Sequence, residues 1–426
     1  MRSRLYLLLF LKNNFMKKYI FFALIAVLIS CGVSDNNNIE ISNKEIKIKE
    51  SKMISTGRSL ADSPFITLNH ENKTVISWAE GEDENAFFYY SISEDNGKTF
   101  TPPIEISPTK GLTPHKETMP KLAFKIDGSI VAVYQKRTPT PKNRFAGAIY
   151  YTQSFDDGQT WSKPNYLHTD TSEGIGRSFF DISVLPDGEI GAVWLDGRKR
   201  QRDGSTLCFA KTSKNKGFGK DIEIGQKTCQ CCRTDIFVDN SDKVHVAYRD
   251  IINDSIRDIV HLSSFDNGIS FTESTRISED DWVIFGCPHT GPSITNSEKG
   301  VSFFWFTSGG TDGVYTTDLA ENTNHFTERE LINPHARHPQ AITLKNDVNV
   351  LTWDETFKTE NGFIDKIGIK FKNLDGTEHI KYVTTINEDC NHPVLVEADN
   401  GSVILSWTQK TLKNEVSQVY QTVVTY

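Results

Sequence analysis

The hydrophobic pattern of this chain repeats. A short apolar run ending in an aromatic residue recurs seven times, closing at Trp78, Tyr134, Trp194, Tyr248, Trp305, Trp353 and Trp407, at intervals of 56, 60, 54, 57, 48 and 54 residues. Fourteen residues before four of these aromatics stands a proline, Pro64, Pro120, Pro339 or Pro393; Phe180 and Thr234 hold the position in two other units, and Pro292 lies one residue out of step. Each unit reads as four strand-like runs. In the first unit they are Phe65–Leu68, Thr74–Trp78, Phe87–Ser93 and Ile104–Ser107. Tight-turn pairs such as Asp127-Gly128, Asp187-Gly188 and Asn400-Gly401 join the first two runs of a unit. No stretch sustains a helical period.

Four short strands repeated seven times predict an all-β, seven-bladed β-propeller with four-stranded antiparallel blades. The seventh unit runs out at Tyr426 with three strands, so Glu45–Glu50 is expected to supply the fourth and tie the chain ends together, covering an open edge. The propeller is placed at residues 44–426 as one domain and one monomer. Aromatics make up 11% of the chain, which suits sheet better than helix.

The N-terminal segment has a different character. Residues 1–30 hold five cations (Arg2, Arg4, Lys12, Lys17, Lys18) and no acid, followed by an apolar run from Tyr19 to Ile29. That run is too short to span a bilayer comfortably and fits a signal-peptide core, with Met16 as the expected start. Leu28-Ile-Ser-Cys31-Gly32 resembles the lipobox of bacterial lipoproteins, which implies lipidation at Cys31, a flexible tether over 31–43 and a lipid-anchored place in the bacterial cell envelope. The membrane is expected as a partner only through that lipid. Removing residues 1–30 takes the formal charge from −8 to −13. A chain this acidic has no electrostatic reason to bind nucleic acid.

A motif follows the third strand of several units. It reads Ser93-x-Asp95-x-Gly97-x-Thr99-Phe100, Ser154-x-Asp156-x-Gly158-x-Thr160-Trp161 and Ser264-x-Asp266-x-Gly268-x-Ser270-Phe271, with a worn copy from Ser213 to Phe218. This resembles the Asp-box of sialidase-like (BNR-repeat) propellers. The resemblance covers essentially the whole mature chain. It implies the fold rather than the chemistry, because the box lies away from the family's active site. Catalytic sialidase domains normally have six blades, so a six-bladed sialidase-type ring is the alternative architecture.

In a propeller, the entrances to the innermost strands line the central mouth. Here they carry Arg58 and Asp62; His115, Glu117 and Met119; Arg177; Cys229, Cys231, Cys232 and Arg233; Cys287 and His289; His335, Arg337 and His338; and Cys390 and His392. The exits of the second strands add Glu80, Lys136, Arg137, Asp196, Arg198, Arg249, Asp250, Asp354 and Glu355. Five of the seven cysteines and five of the eleven histidines gather at the entrances, which marks the mouth as the working site.

Three chemistries fit. The sialidase resemblance implies arginines on a substrate carboxylate, an acidic acid/base and a Tyr nucleophile paired with Glu. Arg177, Arg233, Arg249 and Arg337 with Asp62 and Asp250 are the catalytic candidates, and Tyr134, Tyr248 and Tyr315 are open as nucleophile. The family's Arg-Ile-Pro sequence is absent before Pro64. Arg58, Met119, Arg198 and His338 are the expected substrate contacts, for a glycan or other small acidic ligand. A copper or zinc site is the second reading, drawing on Cys231, Cys232, Cys287, His289, His335, His338, Cys390 and His392. Disulfides among the same cysteines compete with it in an exported chain. A non-enzymatic surface binding module is the third.

Overall fold

The computed structural model describes residues 45–426, other than 200–203, 299, 322, 324, 361, 412 and 413. The signal peptide, Cys31 and the tether lie outside the described residues.

Seven antiparallel sheets follow one another along the chain, which makes the molecule a seven-bladed propeller. Blade one comprises Ala61–Leu68, Thr74–Glu80, Phe87–Ser93 and Ile104–Ile106 in consecutive order. Blades two, four, five and six repeat that order. Blade three differs at its rim: its third strand, Ser205–Ser213, pairs with both Lys216–Phe218 and Ile222–Thr228. Blade seven holds Glu388–Glu397, Val403–Thr411 and Asn414–Thr425, and its outer edge is completed from the other end of the chain. Lys47–Ile48 pairs with Thr425 and Val424, and Lys52–Met53 pairs with Gln421 and Tyr420. The expected ring closure is therefore present, made by two short strands rather than one. Ile46 and Ile54 are buried beside them.

Burial explains the repeat. Among the described residues the apolar core divides into seven clusters, one between each pair of neighbouring blades, including the pair formed by blades seven and one. A strand in the middle of a blade packs on both faces, which is why the second strands read as near-continuous apolar runs. The tryptophans that end them are fully buried at Trp78, Trp194, Trp305, Trp353 and Trp407. A buried indole N–H needs an acceptor. Trp78, Trp194, Trp353 and Trp407 find it two residues on, at Glu80 (2.9 Å), Asp196 (3.2 Å), Glu355 (3.3 Å) and Gln409 (2.9 Å). Trp305 donates instead to Asp280 at 2.7 Å.

The Asp-boxes are local hydrogen-bond devices. In the first, Ser93 Oγ accepts from Gly97 N–H at 2.8 Å and Asp95 accepts from Thr99 N–H at 2.8 Å and from Thr99 Oγ1 at 2.6 Å; the boxes at Asp156 and Asp266 repeat the pattern. Gly268 shows why the third position is glycine. Its φ is +80°, and a Cβ there would strike the Phe209 ring of the preceding blade.

Candidate functional site

The entrances to the innermost strands share a backbone distortion. Strand register slips between Asp62 and Phe65, Ser178 and Asp181, Arg337 and Gln340, and Asn391 and Val394. Inside each slip one non-glycine residue adopts a left-handed conformation: Ser63 (φ 59°), Phe179 (53°), His338 (49°) and His392 (55°); His289, at its own entrance, has φ 52°. A bulge of this kind bends a strand end and re-aims the side chain there. Such backbone costs about 1–3 kcal/mol per residue and persists where the surroundings fix it.

Those surroundings form a buried charge network. The rings of His338 and His392 stack at 4.1 Å. His392 Nε2 lies 2.7 Å from Glu117 Oε1, and His338 Nε2 lies 3.3 Å from the same oxygen. Arg233 Nε faces Glu117 Oε2 at 3.0 Å. On the other side, His338 Nδ1 is 2.8 Å from Asp354, which also accepts the backbone N–H of His392 at 2.8 Å. Burial pushes the Glu117 carboxyl up, but Arg233, His338 and His392 outweigh it and hold it well below its usual range. Asp354 is likewise kept low: His338 overcomes the effect of burial. Burial pulls His338 down, yet Asp354 and Glu117 raise it overall. His392 falls to about 4, through burial and then the neighbouring His338 charge. The resulting state has Arg233 and His338 cationic, Glu117 and Asp354 anionic, and His392 neutral, so the charges balance.

Below the network runs the shaft, a cavity of about 180 Å³ lined by residues from all seven blades, including Phe65, Met119, Asp181, Arg233, Pro292, Gln340 and Val394. Lys121 Nζ bonds Asp181 at 2.7 Å and the Phe180 carbonyl at 2.9 Å. Asp235 accepts the Ile294 N–H, and burial followed by Asp181 raises its carboxyl strongly.

The mouth opens beside the network as a pocket of about 510 Å³, over blades two to five. Its wall includes His115, Arg137, Lys142, Phe145, Cys231 and His289. Arg137, Lys142, Phe145 and His289 are exposed. His115 packs edge-on against Phe179, with ring centroids 5.6 Å apart. Burial, then Arg137, lowers its pKa, and its Nδ1 accepts the Glu117 N–H at 3.2 Å, so the neutral ring carries its proton on Nε2.

The sequence-predicted residues separate into groups. Arg177 does not reach the mouth. It is buried in blade three, where Nε lies 3.2 Å from Asp196 and NH2 lies 3.2 Å from Asp170. Arg198 is held by Asp196 at 2.8 Å and Asp221 at 2.5 Å. Arg249 is buried and donates to the carbonyls of Arg257 (2.7 Å) and Phe306 (2.8 Å), with Trp282 beneath it at 4.9 Å. These three arginines are braces between strands. Met119 faces the shaft instead of the pocket. Arg58 and His335 are exposed, and Arg337 is exposed with its guanidinium 4.7 Å above Phe306. Asp62 is half-buried, accepts Ser63 Oγ at 2.6 Å, and is raised by burial. Asp250 is raised to about 6, again by burial. Tyr134 and Tyr315 spend their hydroxyls on the Pro108 and Thr311 carbonyls, and Tyr248 is buried, so none of the three presents a nucleophile to the mouth.

The metal candidates do not form one cluster. His338 and His392 join Glu117; Cys231 and Cys232 join Cys229; Cys287 and His289 are exposed at the pocket; and Cys390 is buried against Gln409 at 3.6 Å. None of the six described cysteines is disulfide-bonded. The network's centre, Glu117, and its outer acid, Asp354, were visible at an entrance and an exit without being chosen. Glu117 is the lone acid among the residues of its entrance, a signal that could have found it. The pocket residues Lys142 and Phe145 lie in a loop and carried no signal.

Comparison with known proteins places this architecture. The BNR repeat-like domain family matches residues 73–405. This chain belongs to that family. No curated protein matches it in sequence. Among solved structures, this BNR-repeat propeller is similar to a protein of unknown function from Dyadobacter fermentans (15% identity, TM-score 0.56, 89% of this chain and 98% of that one). It is also similar to a polysaccharide lyase (10%, 0.55, 91% and 94%) and to the leech intramolecular trans-sialidase (9%, 0.52, 88% and 70%). At these identities the likeness is one of fold.

Proposed function

We propose that the mouth pocket of this BNR-repeat propeller recognises an acidic carbohydrate. The observation that carries the reading is the composition of the pocket wall: on a chain of net charge −8, the exposed side chains there include Arg137, Lys142 and His289 around an exposed aromatic, Phe145. A guanidinium suits a carboxylate and an aromatic face suits the apolar face of a sugar ring. The volume, about 510 Å³, lies in the range of small-ligand sites. The polysaccharide lyase and the trans-sialidase of like fold act on carbohydrates, which supports the same ligand class here. The sialidase machinery is not assembled around this pocket, since Arg177, Arg198 and Arg249 are braces and the candidate tyrosines are occupied. Recognition is therefore the function the geometry favours over sialoside hydrolysis. Display on the cell envelope through a lipid on Cys31 belongs to the same proposal.

The test is calorimetric titration with oligosaccharides bearing uronic or sialic acid and with their neutral counterparts. Acidic ligands should bind, and raised salt should weaken them. Arg137→Ala with Lys142→Ala should cost at least tenfold in affinity with the melting temperature unchanged. Equal binding of neutral and acidic sugars, or no binding across the panel, overturns the reading.

A further inference from the structure

The loop between Ile222–Thr228 and Asp235–Val238 brings three cysteines together in the core between blades three and four. Cys229 Sγ lies 3.7 Å from Cys231 Sγ and 3.8 Å from Cys232 Sγ. All three are buried. These separations are far from a disulfide bond of about 2.05 Å. They match the edge of a tetrahedron drawn with zinc–sulfur bonds of about 2.3 Å, which is about 3.8 Å.

A second observation concerns charge. Arg249 is buried and, among the described residues, the partners of its guanidinium are two carbonyls and the Trp282 ring, with no carboxylate in ion-pair distance. Two of its nitrogens reach neutral carbonyls and its Nε has no partner. An uncompensated buried cation is expensive, so a fold that keeps one is expected to supply an anion. The cysteine loop adjoins this arginine: the Cys229 N–H donates to the Arg249 carbonyl at 2.9 Å.

We propose that Cys229, Cys231 and Cys232 bind one divalent, thiophilic cation of the zinc class, with Arg249 as its counter-charge. Binding exchanges protons for metal: M²⁺ and three thiols give a tris-thiolate complex of charge −1 and three released protons. That single negative charge neutralises Arg249. A monovalent ion on three thiolates would leave a surplus anion in the core, which is why a divalent ion fits better. Cys231 also forms part of the mouth-pocket wall, and this gives the ion its route in. The two other groupings of possible ligands already have their charges compensated. Glu117, His338 and His392 pair with Arg233 and Asp354, and Asp196 and Asp221, beside Cys208, pair with Arg198.

The experiment uses the full chain, reduced and chelator-treated, titrated with Co(II) alone and then Zn(II) alone. Expected are a sulfur-to-cobalt charge-transfer band saturating at one equivalent, its loss on adding zinc, and a rise in melting temperature with excess zinc. Cys231→Ser should abolish the band and weaken zinc binding at least 100-fold, while Cys287→Ser and Cys390→Ser keep wild-type behaviour. Because Cys231→Ser alters a core loop, the wild-type band and melting shift serve as readouts independent of that variant. Absence of both in the reduced protein, or a Cys231→Ser variant that binds like wild type, overturns the proposal. So does a thiol count on unreduced, denatured protein that finds the triad oxidised, with metal taken up only after reduction.

Discussion

Replacing Glu117 with Gln tests whether the charge network holds the hub together. The substitution keeps the shape and removes the anion that faces Arg233 at 3.0 Å, His392 at 2.7 Å and His338 at 3.3 Å. Breaking a buried pair by removing one partner costs about 3–5 kcal/mol, because the other charge stays buried and unpaired. Unfolding entropy near 2.1 cal/mol/K per residue, over roughly 380 ordered residues, gives about 0.8 kcal/mol per degree. The melting temperature should therefore fall by about 4–6 °C in calorimetry at neutral pH. Glu71→Gln is the control: it removes an exposed pair with Lys73 and should shift the melt by less than about 1 °C. Adding Arg233→Met to Glu117→Gln should recover part of the loss, since an apolar replacement of both charges is far cheaper than one orphaned charge. The gap between wild type and Glu117→Gln should also narrow at low pH. The folded carboxyl is depressed, so its stabilisation is present above about 4.5 and fades as pH falls below that. A Glu117→Gln melt within 1 °C of wild type, or no recovery in the double variant, would refute the argument.

Two further outcomes follow from the same structure. His168 and His392 are both lowered to about 4, chiefly by burial, so the unfolded chain takes up protons first and their contribution to stability falls as pH drops from 6.5 to 4; His338 is raised, so its contribution is complete below 6.5 and is lost as pH rises past that value. Histidine NMR titration across pH 4–8 should show the His168 and His392 rings charging only near pH 4 and the His338 ring charging above 6.5, and a His392 ring that charges at 6.5 would contradict the assignment. Deleting residues 45–53 removes the strands that close blade seven, exposes the edge of Asn414–Thr425 and uncovers the site of Ile46, at a cost of several kcal/mol. Light scattering should show association and calorimetry a lower melt, whereas a monomer with an unchanged melt would mean the closure does not matter.

The ring was legible because each blade must bury the same central strand, and that need writes an aromatic every 48–60 residues. The choice between six and seven blades came down to counting those aromatics. The closure was legible because a three-stranded last unit leaves an unpaired edge. One local rule lay in view and went unused: Trp78, Trp194, Trp353 and Trp407 each carry an acceptor two residues on. It would have removed Glu80, Asp196 and Glu355 from the mouth and, with Asp196, taken Arg177 from the catalytic candidates and Arg198 from the substrate contacts. Glu117 and His392 are 275 residues apart, and Arg233 meets Glu117 from another blade. No spacing encodes such meetings. They depend on ring closure and on the bulges that turn His338 and His392 inward.

The sorting of charges by compensation then separates scaffold from site. Arg177, Arg198, Arg233 and Lys121 are each buried or half-buried with a carboxylate, so the interior already accounts for them and a ligand has nothing to add. Arg249 is different: it is as deeply buried as Arg177 yet its guanidinium donates only to neutral carbonyls, and the cysteine loop adjoins it through the Cys229 N–H. Arg137 and Lys142 stand at the opposite extreme, in solvent, on the wall of a pocket in an acidic protein. A residue type at a propeller mouth says little by itself, because the same arginine serves as brace or ligand. What distinguishes the two is whether the fold has supplied its partner. By that measure negative charge is missing at the cysteine loop and at the pocket it borders, and Cys231 belongs to both.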